Sequence, residues 1–341
     1  MKSGINQAAI TILDIGDGNE GHRAEYVALL GDLFAIRRTH FNWQVLGDPN
    51  PVLAPAIEDG LGIYALVGLL RSLIGRRTVG FLFRPGPAIS SKTLRHRGKR
   101  LVLRLMRLLP RVQTLTILPF AVEPRFVEIA DGWIYDPQLW DLHWPAAMSG
   151  VPVGGALADA IRLTAGDRAI CAAVGRQDIA KGFDQFAALY SAAEPLRDAM
   201  LFAYGGKVAA PCETMAAEFE AAGGYGVNRF INDAELRDFY ACADLVWCAY
   251  AADYDQASGI LGRAMQLGIP VIVRNGSLIH RLCQIEGLPF VPFDQSTAWQ
   301  SIASPPPREA LDVAASRALR HGRESIARLC EALGLDSATT G

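Results

Sequence analysis

Val174-Gly175-Arg176, then Lys181-Gly182, and further on Ser258-Gly259-Ile260-Leu261-Gly262-Arg263-Ala264-Met265, decide how this chain is read. The apolar run Ala169 to Val174 has the length and composition of a buried strand. It delivers Gly175 and Arg176 to the carboxyl edge of a sheet, where open α/β folds place their ligands. Lys181 lies on the loop that follows. An arginine offers a planar fork and a lysine a point charge, so the pair can neutralise a diphosphate from two sides. Both bonds strengthen as a leaving group gains charge. Two exposed surface cations are the competing reading. Asp255-Gln256-Ala257-Ser258-Gly259 leads into a helix, Ile260 to Leu267, closed by Gly268-Ile269-Pro270. Free backbone amides at such a start would point at a phosphate. Ser258 serves equally as the helix cap, and the two roles are compatible. Gly205-Gly206 either lets the backbone approach a ligand or makes a tight turn.

The same alternation extends in both directions. In the second half, strands are expected at Ala169 to Val174, Met200 to Tyr204, Gly226 to Phe230, Leu245 to Cys248 and Pro270 to Val273. Helices at Phe183 to Ala192, Glu213 to Ala222, Ala234 to Ala241 and Gly259 to Leu267 separate them, with Asp233 the expected cap of the third. In the first half, Ala8 to Ile15 reads as a strand, Gly16 to Gly21 as a glycine- and acid-rich loop, and His22 to about Ile36 as a helix. Strands at Thr78 to Phe83, Gln113 to Leu118 and Trp133 to Tyr135 follow, with helices near Pro55 to Leu73 and Ser91 to Leu109. Such alternation implies parallel sheets covered on both faces. The Pro- and Gly-rich segment 145–155 is the expected boundary, giving domains over 1–148 and 149–307. A final segment, 308–341, carries a helix from Arg308 to Leu333 that is expected to pack back on the first domain.

The chain has 341 residues, half of them apolar, which excludes a disordered reading and suits two domains. Six cysteines, all in the second half, show no close pair with metal-ligand spacing, so they are read as reduced, mostly buried thiols of a cytoplasmic protein. Acidic residues interrupt the amino terminus before any signal-like apolar run, and the longest apolar stretch, Leu61 to Leu70, is about half of what a membrane span requires. Net charge is only −2, yet no acidic residue stands between Asp59 and Glu123, where twelve lysines and arginines do. A local field of that kind calls for a polyanionic neighbour or an internal use.

Taken together, Gly175-Arg176 through Lys181-Gly182, Gly205-Gly206, Asn228 to Ile231, Ala243-Asp244-Leu245 and Ser258-Gly259 to Ile272 resemble the carboxyl-terminal domain of the large group 1 family of retaining GT-B glycosyltransferases. The resemblance covers about residues 168–282. It implies two Rossmann-like domains facing across a cleft, a nucleotide sugar held mainly by the second, no metal requirement and no cofactor, with UDP or GDP as product. By the same resemblance Arg176 and Lys181 grip the diphosphate, backbone near Phe230 and Ile231 meets the base, and Ser258, Gly259 and Ile260 meet the phosphates. The family usually carries two Glu residues, one near the donor sugar and one on the ribose, at the positions that here read Asp255 and Arg263. Asp255 keeps a carboxylate able to accept from a sugar hydroxyl. Arg263 cannot accept at all, so ribose binding must differ or this cation must meet a phosphate. In the first domain the Gly16 to Gly21 loop, including Gly18, corresponds to the family's glycine-rich loop beside donor phosphates and acceptor. His22 either contacts substrate or is a solvated or capping residue, and Arg84, at a strand's carboxyl end, is the first-domain candidate for an anionic acceptor or donor phosphate.

Within Ser91 to Val112, Arg97, Arg100, Arg104, Arg107 and Arg111 follow a three-four spacing, while Leu94, Leu101, Leu105 and Leu108 line another face. That is a basic amphipathic helix, suited to anionic lipid headgroups. The alternative is a surface helix packed on its own sheet with solvated cations. The expected function is transfer of a sugar from a UDP- or GDP-sugar to a lipid-linked or polysaccharide acceptor, with retention, at the inner face of the cell membrane. The competing readings are a noncatalytic GT-B subunit partnering an active transferase, a sugar-nucleotide epimerase on the same fold, and nucleic-acid binding. The last is disfavoured because no aromatic stacking residues stand between the cations.

Overall fold

The computed structural model describes residues 9–15, 22–90, 93–141 and 154–335, with the side chains of 22–25 left aside. These residues form two compact units, one made of residues up to Pro137 together with those from Arg320 onward, the other of Gln138–Leu319. The boundary expected within 145–155 falls largely outside the described residues.

In the first unit, β1 (Ala9–Asp14), β2 (Ala35–His40), β3 (Val52–Ala54), β4 (Thr78–Leu82), β5 (Val112–Thr116) and β6 (Gly132–Trp133) form a parallel sheet in the order β2-β1-β3-β4-β5-β6. Two of these strands correct the sequence reading. The first helix stops at Leu33, and β2 begins where the helix was expected to end. β2 is an edge strand with half-exposed side chains, so its apolar signal is weak, and its Arg38 and Arg37 pair with Asp14 and Asp48. β3 has only three residues, and the helix expected from Pro55 begins at Leu61, after a 3-10 turn and Gly60. Arg71, at the end of that helix, is fully buried and donates to the carbonyls of Val45, Asp48, Asn50 and Arg77 at 2.6, 3.0, 2.7 and 3.2 Å. Burial pushes its guanidinium down to about 10.

The basic helix spans Leu94–Met106 and buries Leu103 and Met106. Leu94, Leu101, Leu105 and Leu108, the apolar face of the expected amphipathic helix, are exposed, so the alternative in which that face packs on the sheet is not what is seen. Part of the cationic run has internal uses. Arg100 donates to the carbonyls of Ala88 and Ile89, Arg104 pairs with Glu128, and Arg107 pairs with Asp131 at 3.1 Å.

The second unit carries β7 (Ala169–Val174), β8 (Met200–Gly205), β9 (Tyr225–Val227), β10 (Leu245–Cys248), β11 (Val271–Arg274) and β12 (Phe290–Phe293), all parallel, in the order β12-β11-β10-β7-β8-β9. β12 went unread because it is a short edge strand containing Pro292, which a central strand would not tolerate. The chain proceeds outward from β7 to β9, then returns to place β10 on the other side of β7. The switch point therefore lies between β7 and β10. An aromatic core fixes this sheet to its helices: Phe186 packs on Phe202, Phe219 and Trp247 with ring centroids 4.8 to 5.5 Å apart. Each such ring contributes about 2 to 3 kcal/mol by burial. The helix Asp233–Cys242 is capped by Asn232, not Asp233. The Asn232 carboxamide oxygen accepts from the Ala234 and Glu235 amides, and Glu235 accepts from the Asn232 amide.

The last helix, Leu311–Leu333, contributes to both units, its residues through Leu319 to the second and those from Arg320 to the first. Within the first unit, His321 stacks on Tyr135 with centroids 3.8 Å apart, and the Arg328 guanidinium lies 3.8 Å over the Trp133 ring. Among the described residues no helix is long and apolar enough to cross a membrane, and no group of three or more His, Cys, Asp or Glu is placed to hold a metal ion. All six cysteines are buried free thiols.

Candidate functional site

At the switch point of the second sheet, the loops after β7 and β10 run side by side, and the Ala251 amide donates to the Ala180 carbonyl at 3.1 Å. The loop after β7 carries the cations. Arg176 is exposed and its Nε pairs with Asp178 at 3.2 Å. Asp178 also accepts from the Lys181 backbone amide at 2.9 Å, so one carboxylate organises both members of the expected clamp. Lys181 is half-buried, with Nζ 5.1 Å above the Tyr250 ring, and burial holds its ammonium below the ordinary lysine value. An ammonium in that state gains from any anion that arrives beside it.

Tyr250, just past β10, joins the remaining pieces. Its hydroxyl is 2.6 Å from Ser258 Oγ, and its carbonyl accepts from Arg274 Nε at 2.9 Å. Ser258 caps the helix Gly259–Gln266 by accepting from the Leu261 amide at 3.4 Å. Ile260 is brought near Gly175, and its carbonyl accepts from Tyr240 Oη at 3.3 Å. Lys181, Ser258 and Ile260, distant in sequence, thus meet at one edge of the sheet.

The loop after β8 closes on the same place. The Gly175 amide donates to the Gly205 carbonyl at 2.9 Å. Gly206 has φ +141°, and a Cβ there would stand 1.8 Å from the Gly175 carbonyl oxygen, so only glycine fits. Gly205 differs from its expected role: a Cβ on it would strike the Phe239 ring at 2.2 Å, which makes it a packing glycine. Buried Gln177, unremarked in the sequence, donates to the Gly175 carbonyl at 2.7 Å and the Ala173 carbonyl at 3.2 Å. Beyond β9, Phe230 is 84% exposed while Ile231 is buried. Asn228 ties that loop to Val208 through a 2.9 Å bond.

Two expected ligand contacts are engaged in the protein itself. Asp255 accepts from the Leu278 amide at 2.9 Å with one oxygen and pairs with Arg274 at 3.0 Å with the other; burial raises its carboxyl. Arg263 is buried and donates to the Asp141 carbonyl at 3.1 Å, the Asp141 carboxylate at 3.3 Å and Gln266 at 3.0 Å. It anchors the segment from Gln138 to Asp141 along its helix. A Cβ on Gly259 would fall 1.8 Å from the Gln138 amide oxygen, so this glycine makes room for that segment.

The first sheet switches between β1 and β3, and its carboxyl edge carries three groups of its own. Asp14, buried, pairs with Arg38 through one oxygen, and its other oxygen has no hydrogen-bond partner among the described residues. Glu58 accepts from the Arg84 amide and is held above the usual carboxylate range by burial. Arg84 is exposed at that edge. Gly18 lies outside the described residues, and of His22 only its place at the start of the first helix is described.

No protein-family model and no curated protein sequence matches the chain. Solved structures do. Sucrose-phosphate synthase from Thermosynechococcus elongatus is 15% identical, covering 96% of each chain at a TM-score of 0.52. An E. coli structure described as trehalose-6-phosphate bound with UDP-2-fluoro glucose is 9% identical over 96% of this chain and 99% of that one, at 0.59. HepE from Anabaena, in complex with UDP, is 12% identical over 96% and 99%, at 0.60. At such identities the likeness carries the architecture alone: the chain has the GT-B fold of two Rossmann-like units, each built on a six-stranded parallel sheet.

Proposed function

We propose that the protein transfers a sugar from a nucleoside-diphosphate sugar, with retention, to a lipid-linked or polysaccharide acceptor at a membrane face, as a member of the group 1 family. The observation that carries this reading is the meeting of Arg176, Lys181, the Gly175–Gly206 contact and the Ser258-capped helix start at one switch point. That arrangement suits a diphosphate, whose oxygens would receive the guanidinium, the ammonium and the backbone amides at the helix start. Neighbours of the same fold solved with UDP or UDP-2-fluoro glucose favour UDP over GDP as the carrier.

In the proposed step Arg176 and Lys181 stabilise the nucleoside diphosphate as its bond to the sugar breaks, when its terminal oxygen gains charge. The leaving phosphate receives the acceptor's proton, so no separate protein base is required. Each Asp255 oxygen keeps a second acceptor position beyond its present bond, and the residue can orient a sugar hydroxyl without releasing Arg274. Phe230 and Ile231 supply the surface for the base, and Arg84 in the first unit is assigned to an anionic group of acceptor or donor.

A second reading, a noncatalytic subunit that keeps the phosphate grip, draws support from Arg263. With that cation committed to Asp141, the ribose loses the acceptor the family usually provides. Incubation with a panel of UDP- and GDP-sugars separates the two. Release of UDP from at least one donor, falling about a hundredfold or more in an Arg176→Ala variant, supports transfer. Nucleotide binding with no turnover of any donor leaves the subunit reading.

A further inference from the structure

The exposed leucines of the helix Leu94–Met106 do not stand alone. The helix Leu61–Leu73 packs against it and leaves Leu66, Leu69 and Leu73 exposed on one face of its own, at i, i+3 and i+7. Ser72 donates to the Pro110 carbonyl, so the end of that helix adjoins the turn that follows Leu108. Leu73 is 75% exposed and Leu108 76%. Apolar side chains this open, recurring on two packed helices, form a patch that folding does not use.

Cations surround the patch. Arg95, Arg97, Lys99 and Arg111 have no side-chain hydrogen bond or ion pair among the described residues, unlike Arg100, Arg104 and Arg107. Beside Leu109 and Pro110, a cavity of about 520 Å³ is lined by Arg77, Arg107 and Arg111; Asp131 in its wall is already paired to Arg107, and Arg77 makes only long bonds, to the Ala332 and Glu331 carbonyls at 3.4 and 3.5 Å. Arg111 holds a left-handed backbone at φ +68°, the only non-glycine among the described residues to do so. That conformation is unfavourable for an arginine and is retained at the rim of the cavity.

We propose that this face docks on an anionic membrane surface, the leucines of both helices entering the headgroup boundary and a lipid phosphate seating between Arg77 and Arg111. Charge complementarity selects this occupant over a second copy of the chain or a neutral protein, since Arg95, Arg97, Lys99 and Arg111, without partners among the described residues, outweigh the one acidic neighbour of Arg77, exposed Glu331. Apolar residues inserted among cations suit a bilayer and not a nucleic acid, whose surface offers nothing for leucines to enter. The inference deepens the membrane part of the proposed function and is independent of the donor site.

The test is co-sedimentation of the full chain with phosphatidylcholine vesicles, with and without phosphatidylglycerol. The wild type is expected to bind only the anionic vesicles. A Leu101→Gln/Leu105→Gln variant with an unchanged melting curve should bind about tenfold more weakly, and so should Arg111→Ala. Equal binding to neutral and anionic vesicles, or unchanged binding by the folded leucine variant, overturns the proposal. So does binding to duplex DNA as tight as to the anionic vesicles. UDP binding measured on the same samples keeps the two readings apart: vesicle binding without nucleotide binding sinks the transferase, and nucleotide binding without vesicle binding sinks only this surface.

Discussion

Lys181 is the residue whose chemistry is most exposed to test. Its ammonium lies below the ordinary value of 10.5 because burial removes water from it, with Asp178 too weak a counterweight. The sign follows from linkage. A depressed lysine costs stability below its lowered value, and that cost fades as pH rises towards 10.5. A diphosphate seated beside Nζ reverses the preference by favouring the charged form. UDP affinity measured by calorimetry should therefore fall as pH rises through the lowered value, at a pH below 10.5. Lys181→Arg, which stays charged, should flatten the fall, and an equally steep profile in that variant would remove Lys181 from the site. At this scale the sequence was informative where chemistry is local. Arg176, Lys181 and Ser258 each follow directly from a strand end or helix start. Gln177 and Tyr250 were not legible, because part of what they do depends on partners 28 and 8 positions away, the Gly205 carbonyl and Ser258. Arg263 was legible as an anomaly, but its partner Asp141 lies 122 positions distant.

Among the elements, the longer interior strands and the helices between them were readable because burial on both faces writes a continuous apolar run, as in β7 and β10, whereas interior β3, only three residues long, wrote too short a run. Of the four edge strands, β6 and β9 were read and two were not: β2 is half-exposed and β12 contains a proline. The helix cap at 232–233 shows the limit of type preference, since Asn and Asp are comparable caps and only the bonds decide. Asn232→Ala should cost about 1 kcal/mol in chemical denaturation, through loss of the capping box, while Asp233→Ala should stay within about 0.5 kcal/mol. The reverse order would contradict the assigned cap. The basic helix teaches the opposite lesson. Its amphipathic pattern was plain in the sequence, yet pattern alone does not say which face is buried, and here Leu103 and Met106 pack while the leucine stripe stays open.

For the whole molecule, the order of apolar runs was enough to give two parallel α/β units, because right-handed β-α-β connections leave few other arrangements. The functional reading rests on less: one switch point at which a clamp, a glycine contact and a capped helix start meet. Its central claim is that this place grips a diphosphate, and the direct measurement is calorimetric titration of the protein with UDP and with UMP, repeated on Arg176→Ala. The account predicts that UDP binds at least about tenfold more tightly than UMP, and that Arg176→Ala removes most of that difference while leaving UMP binding unchanged. Equal affinities for UDP and UMP, or a difference that survives in Arg176→Ala, would contradict it.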